Sequence, residues 1–252
     1  MTQRHTAAVR PPGWLRLAAE WRAPAEAWLG LLAWPWLRRS PRGDGHAVLV
    51  LPGLGAGDLS TLLLRRFLLA QGWRAYGWQL GRNLGPRAGA FEAMEQRLLG
   101  LQALSARRVS LVGWSLGGVF ARELAKRHPD AVRQVITLGS PMPGHQRATN
   151  VRWFYEWAAG SRAYPPELMA TLHEPMPAYL PWTSIHSRSD GIVHWRASLL
   201  PVSRHSENIR LPSSHGGMGS NPLVLRVLAD RLSQPEGDWR PWAPRARFYR
   251  CA

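Results

Sequence analysis

Val109-Ser110-Leu111-Val112-Gly113-Trp114-Ser115-Leu116-Gly117-Gly118-Val119-Phe120 carries two periodicities with a serine between them. Residues 109–112 form an apolar run of strand length. Leu116, Val119, Phe120 and Leu124 then recur at helical spacing, and the pattern stops before Pro129. Ser115 therefore falls on a sharp turn from strand to helix. Gly113 and Gly117 keep Cβ atoms out of that turn, and Gly118 eases packing of the helix on its neighbours. A serine hydroxyl is a poor nucleophile until a base and a fixed geometry activate it, and a Gly-x-Ser-x-Gly turn supplies the geometry. The short pattern also occurs by chance. A strand directly before it and an amphipathic helix directly after make it specific.

Working outward, the same alternation continues on both sides. Residues 46–51 (HAVLVL) read as a buried strand ending at Pro52-Gly53. Asp58 is placed to cap a helix carrying Leu59, Leu62, Leu63 and Phe67, which ends near Gly72. Residues 73–78 read as a strand, 91–104 as a helix and Val132–Leu138 as another strand. Strands resume at 182–187 and 208–211, and a last helix runs over Pro222–Leu232 with proline in its first turn. Strands alternating with helices predict an α/β fold, a mostly parallel central sheet with helices on both faces. Residues 141–181, rich in proline and aromatics, break the pattern and read as a small cap or lid insertion, helical around 148–159. The expected organisation is an apolar and basic extension (1–45), a catalytic domain (46–234) and a Pro/Trp/Arg-rich tail (235–252).

A serine nucleophile needs an acid and a histidine after it in the chain. Asp190, in Ser189-Asp190-Gly191-Ile192-Val193, follows the strand at 182–187. His215, in Ser214-His215-Gly216-Gly217, follows the strand ending at Leu211. Both fall at carboxyl ends of strands, where open α/β sheets gather their sites. In this arrangement His215 takes the serine proton and Asp190 orients the imidazole. Glu156, Glu167, Glu174 and Glu207 are alternative acids, and none follows a strand so directly. His186, His194 and His205 are alternative bases; His194, four residues from Asp190, is expected to line the pocket. The backbone N–H of Leu116 is one expected oxyanion donor, and that of Leu54, in the loop after the first strand, is the other. Gly53, Gly55 and Gly57 do not make a dinucleotide loop, because Asp58 stands where the third glycine of G-x-G-x-x-G belongs. No P-loop sequence is present.

Composition narrows the classes further. The 252 residues are 45% hydrophobic, enough for a substantial core. The net charge of +16 comes from arginines scattered along the chain, with Lys126 the one lysine. Scattered charge of this kind reads as solvated surface, and no nucleic-acid-binding signature accompanies it. Cys251 allows no internal disulfide and no cysteine metal site. The apolar stretch 27–37 (AWLGLLAWPWL) is too short to span a bilayer and lacks a signal-peptide cleavage site. It reads as a helix packed on the domain, with peripheral contact to a membrane interface as the alternative. The default expectation is then a cytoplasmic protein. Oligomeric state is not legible.

The ordered set Pro52-Gly53-Leu54-Gly55, Gly113-Trp114-Ser115-Leu116-Gly117-Gly118, Leu138-Gly139-Ser140-Pro141, Ser189-Asp190-Gly191-Ile192-Val193 and Ser214-His215-Gly216-Gly217-Met218 resembles the lipase and esterase branch of the α/β-hydrolase superfamily. The strand end Leu-Gly-Ser-Pro and the Ser-His-Gly-Gly segment look like its bacterial lipase-like and PGAP1-like members. The resemblance covers roughly residues 46–232 and departs at Pro52, where the family usually has histidine, and at Trp114, where lipases often have histidine. It implies an α/β-hydrolase fold and cleavage of a carboxylic ester on a small molecule or lipid, through an acyl-enzyme and without metal or cofactor. Thioester hydrolysis and acyl transfer use the same machinery. A catalytically silent scaffold that binds a lipid or a protein is the alternative from another class. An aromatic cap over 141–181 would suit an apolar acyl or alcohol group.

Overall fold

The computed structural model describes residues 9–87, 89–142, 148–150 and 174–242. Its centre is a six-stranded sheet in the order β2-β1-β3-β4-β5-β6. The strands are β1 (Ala47–Leu51), β2 (Arg74–Gly77), β3 (Val109–Trp114), β4 (Val132–Leu138), β5 (Trp182–His186) and β6 (Ser206–Arg210). Every pairing is parallel. A parallel sheet needs cover on both faces, and the burial of the strands shows it: β1, β4 and β5 are buried along their whole length.

Seven helices are described: α1 (Trp14–Ala18), α2 (Ala23–Leu32), α3 (Trp34–Leu37), α4 (Leu62–Ala70), α5 (Ala90–Ser105), α6 (Leu116–Arg127) and α7 (Pro222–Leu232). Alternate strand residues point to opposite faces. Leu49, Leu51 and Leu111 pack under α5 and α6, against Phe91, Leu98, Phe120 and Leu124. Val48, Val50, Val112 and Ile136 pack under α4 and α7, against Phe67, Leu225 and Leu228. Leu37 of α3 joins this second core.

The strands and helices predicted between residues 46 and 232 outside the insertion are all present. One local expectation fails. Asp58 does not cap the helix that follows; its carboxylate accepts the N–H groups of Trp78 and Gln79 beyond β2. The reason is proximity: a Cβ at Gly77 would sit 2.3 Å from Asp58 Oδ1, so the strand end lies directly over this side chain. Most of the predicted insertion, including the helix expected around 148–159, lies outside the described residues.

Strand order reverses between β1 and β3, because the chain goes from β1 to β2 on one side and then to β3 on the other. Open α/β sheets place ligands at such a switch point, outside the carboxyl ends of the strands. The loop after β1 (Pro52-Gly53-Leu54) and the turn after β3 (Ser115) both emerge there.

Candidate active site

Ser115 adopts φ 53° and ψ −120°, a strained conformation for a residue with a side chain. The surroundings hold it there. A Cβ on Gly113 would lie 2.3 Å from Gly118 Cα, and one on Gly117 would lie 2.2 Å from the Leu51 carbonyl oxygen. A Cβ on Gly118 would lie 2.0 Å from Ser140 Oγ. The three glycines therefore let α6 begin in contact with β1 and β4. The Ser115 N–H donates to the Leu138 carbonyl at 2.8 Å, which ties the turn to the end of β4.

The structure brings Asp190 and His215 together from separate loops. His215 Nδ1 lies 2.7 Å from Asp190 Oδ2, and both residues are buried. Asp190 Oδ1 accepts the N–H groups of Ile192 and Val193, each at 2.8 Å, so the carboxylate is fixed at both oxygens. Gly139 explains the Leu-Gly-Ser-Pro strand end: it has φ +55°, and a Cβ there would stand 3.0 Å from Asp190 Oδ2 and 3.1 Å from His215 Nδ1. Burial pulls the His215 pKa down, but the charge and hydrogen bond of Asp190, with the charge of Glu20, outweigh it and raise the value above that of a free imidazole.

Ser115, His215, Trp114, Leu54, Gly53 and Ile192 line one cleft. The loop carrying Leu54 is pinned by Asn83, whose side chain donates to the Pro52 carbonyl and whose carbonyl accepts from the Gly55 N–H. Leu116 is the first residue of α6, and the first N–H groups of a helix have no acceptor within it. Trp114 reaches across the cleft wall, where its indole N–H donates to the His215 carbonyl at 3.1 Å.

The alternatives are placed elsewhere. His186 stacks on Trp195, and burial with the charges of Arg210 and Arg188 lowers its pKa to about 4. His205 bonds the Ala178 carbonyl. Glu207 is occupied by Thr183 and Arg231. Glu174 is exposed, and Glu156 and Glu167 lie outside the described residues. His194, expected to line the pocket, lines a separate groove with Val9, Trp14 and Arg196. The 3-10 turn Trp195–Ser198 turns it away, with its ring nitrogen accepting from the Arg196 N–H.

Sequence reasoning missed two carboxylates, both from the N-terminal segment. Glu20 Oε1 accepts the N–H groups of Gly191 (2.7 Å) and His215 (2.9 Å), and Oε2 accepts that of Gly216 (3.0 Å). It bridges the loop of the acid to the loop of the histidine. Glu26 accepts from the Ser214 N–H at 2.7 Å, from Ser213 Oγ at 2.6 Å and from Asn221 Nδ2 at 3.2 Å. Arg22 joins this network through Glu26 and the Ser189 carbonyl. The glycines beside the triad candidates make room for it. A Cβ on Gly191 would meet the Arg16 carbonyl oxygen at 2.1 Å, and one on Gly217 would meet Glu26 Oε2 at 2.1 Å. One signal was available: Glu20 and Glu26 are the only acidic residues among the first 43.

A parallel sheet with a strained serine after β3 and an acid–histidine pair after later strands defines an α/β-hydrolase fold, and the chain has that fold. Residues 87–167 match the family described as alpha/beta hydrolase fold. Over 108 residues the chain is 35% identical to serine hydrolase BPHL of Mus musculus, covering 39% of this chain and 37% of that protein. It is 33% identical over 102 residues to pimeloyl-[acyl-carrier protein] methyl ester esterase of Klebsiella pneumoniae (strain 342), covering 34% and 38% respectively. The matches thus span little more than a third of these relatives. Among solved structures, Aspergillus fumigatus lipase B superimposes with a TM-score of 0.59 at 21% identity, over 76% of this chain and 53% of that one. The mature form of Bacillus licheniformis lipase BlEst2 gives 0.55 at 15% identity, over 78% and 95%. No helix among the described residues is long and apolar enough to cross a membrane.

Proposed function

We propose that this protein hydrolyses a carboxylic ester through an acyl-enzyme formed on Ser115. His215 accepts the Ser115 proton as Oγ attacks the ester carbonyl, and then delivers it to the leaving alcohol as the C–O bond breaks. Water, deprotonated by the same imidazole, attacks the acyl-enzyme and releases the acid with Ser115 restored. Asp190 holds the imidazole in one tautomer and balances its charge. The N–H groups of Leu54 and Leu116 receive the oxyanion. The substrate is a small-molecule or lipid ester with an apolar part. Support comes from the apolar cleft walls of Leu54, Trp114 and Ile192, and from relatives named as an esterase and lipases.

One observation carries the reading: a 2.7 Å Asp190–His215 pair opens onto the same cleft as a serine held at φ 53°. Labelling with a fluorophosphonate probe tests it. The wild type should label and Ser115→Ala should not, with hydrolysis of p-nitrophenyl butyrate falling roughly 10⁴-fold or more. Labelling of both proteins, or of neither, would refute Ser115 as the nucleophile.

A further inference from the structure

The N-terminal segment packs on the body inside out. In α2, Glu26 and Gly30 lie one turn apart on the buried side. Glu26 serves the His215 loop, and Gly30 lets the helix backbone approach Ser220, whose carbonyl oxygen would stand 2.2 Å from a Cβ there. Trp28 and Leu32, also one turn apart, face outward at 67% and 74% exposure. Trp14, Leu15, Leu17, Trp21, Leu29, Leu31 and Trp36 are exposed with them. Nine of the fifteen large exposed apolar side chains described thus fall within 23 residues, and a concentration of this kind marks an interaction surface.

Charge selects the partner. The first 43 residues hold seven arginines and two glutamates, and both glutamates are turned inward onto the Ser214, His215 and Gly216 backbone. What faces outward is tryptophan, leucine and arginine, with Arg16, Arg38 and Arg39 exposed beside the apolar side chains. Tryptophan and arginine together suit the boundary between headgroups and acyl chains, and arginine favours anionic headgroups. Position links this face to the cleft. A groove walled by Leu31, Trp34, Leu59 and Leu63 runs from α2 to Trp114, the residue that also lines the Ser115 cleft.

We propose that the face formed by residues 14–36 docks on an anionic phospholipid bilayer, and that the groove leads lipid esters from that surface toward Ser115. Docking stands on the exposed face alone; delivery of the ester rests on the function proposed for Ser115.

Flotation with phosphatidylcholine vesicles, with and without about 30% phosphatidylserine, tests the proposal. The full chain and its Ser115→Ala variant should both float with the anionic vesicles, less so as salt rises. The triple variant Trp21→Ser, Trp28→Ser, Leu32→Ser should bind at least about tenfold more weakly, while hydrolysing soluble p-nitrophenyl butyrate as the wild type does. Failure to float, equal flotation with neutral vesicles, or unweakened binding by the triple variant would overturn it. So would a wild-type dimer in light scattering that the triple variant converts to monomer, which would assign the face to a second copy. If the triple variant misfolds, single Trp21→Ser and Trp28→Ser proteins carry the same comparison. Vesicle binding without fluorophosphonate labelling would leave docking standing and sink the hydrolase reading instead.

Discussion

Helices α6 and α2 both support the cleft, and they do so with opposite chemistry. Helix α6 buries Leu116, Val119, Phe120 and Leu124 against the sheet, as expected of a helix covering a parallel sheet. Helix α2 turns a glutamate and a glycine inward and leaves Trp28 and Leu32 in solvent. The first helix positions Ser115 through backbone packing; the second braces the His215 loop through carboxylate hydrogen bonds. One cleft is therefore built from a stiff half and a clamped half.

Between the two halves, the largest effects should come from adding one methyl group to each. Gly117→Ala drives a Cβ into the carbonyl oxygens of Leu51 and Pro52, at 2.2 and 2.7 Å, at the carboxyl end of β1. Overpacking of this kind costs about 1–3 kcal/mol, so Tm and activity should fall together. Gly30→Ala meets the Ser220 carbonyl at 2.2 Å, with Leu63 Cδ2 at an ordinary 3.5 Å. It should lift α2 and reduce activity while the melting of the sheet changes little, because alanine also favours the helix by about 1 kcal/mol over glycine. Thermal melts beside ester hydrolysis separate the two cases. If Gly30→Ala lowers Tm as much as Gly117→Ala does, the two halves are one cooperative unit and the contrast is wrong.

The same contrast explains what was legible in the sequence. The sheet and its helices announce themselves by pattern: β1 is a continuous apolar run, β3 and β4 are short and mostly apolar or β-branched, and α6 repeats at helical spacing. Ser115, Asp190 and His215 could be read as candidates because each follows a strand, and the topology of a parallel sheet brings strand ends together. The N-terminal segment follows no such rule. Its apolar residues look like a core stripe, and packing was the favoured expectation for 27–37. Leu37 and Gly30 do pack, yet most of the large side chains face out. Glu20 was illegible because its partners are backbone N–H groups about 170–195 positions away, and a backbone donor leaves no mark on the sequence; Glu26 bonds a backbone N–H and two side chains equally far along the chain. The glycines at 191, 216 and 217 were read as family pattern, while their physical reason is the approach of this segment.

Acid should act on the stiff half first. His46, fully buried immediately before β1 and bonded to Ser110, has its pKa lowered to about 4 by burial, with Asp44 opposing and Arg133 adding to the shift. His186, at the end of β5, is lowered to about 4 by burial and by Arg210. Both imidazoles are neutral in the fold and protonate readily once unfolded, near pH 6.5. Their folded pKa values are depressed, so the stability they contribute is full above pH 6.5 and is lost as pH falls toward 4. By linkage the loss at pH 5 is about 1–2 kcal/mol for each. Denaturant melts at pH 7.5 and pH 5 should show it, and His186→Gln should reduce the difference. A pH-independent midpoint across that range would mean that neither ring is held neutral.

The smallest expected effect is the most informative about the clamp. Glu20 accepts three backbone N–H groups of the Asp190 and His215 loops, and its charge helps to raise the His215 pKa. Because that pKa is raised, the acid limb of kcat/KM should lie above the ordinary imidazole value of about 6.5, activity rising as His215 loses its proton. Glu20→Gln removes the charge and turns one acceptor into a donor facing the Gly216 N–H. Activity at pH 8 should fall about three- to tenfold. The acid limb should also move to lower pH, since the imidazolium has lost a supporting charge. Glu20→Asp, which keeps the charge on a shorter side chain, should lose activity with less movement of the limb. A purely structural residue would lower the rate and leave the limb where it was. An unmoved limb in Glu20→Gln would therefore reduce Glu20 to a strut, and the N-terminal segment would brace the cleft without tuning its base.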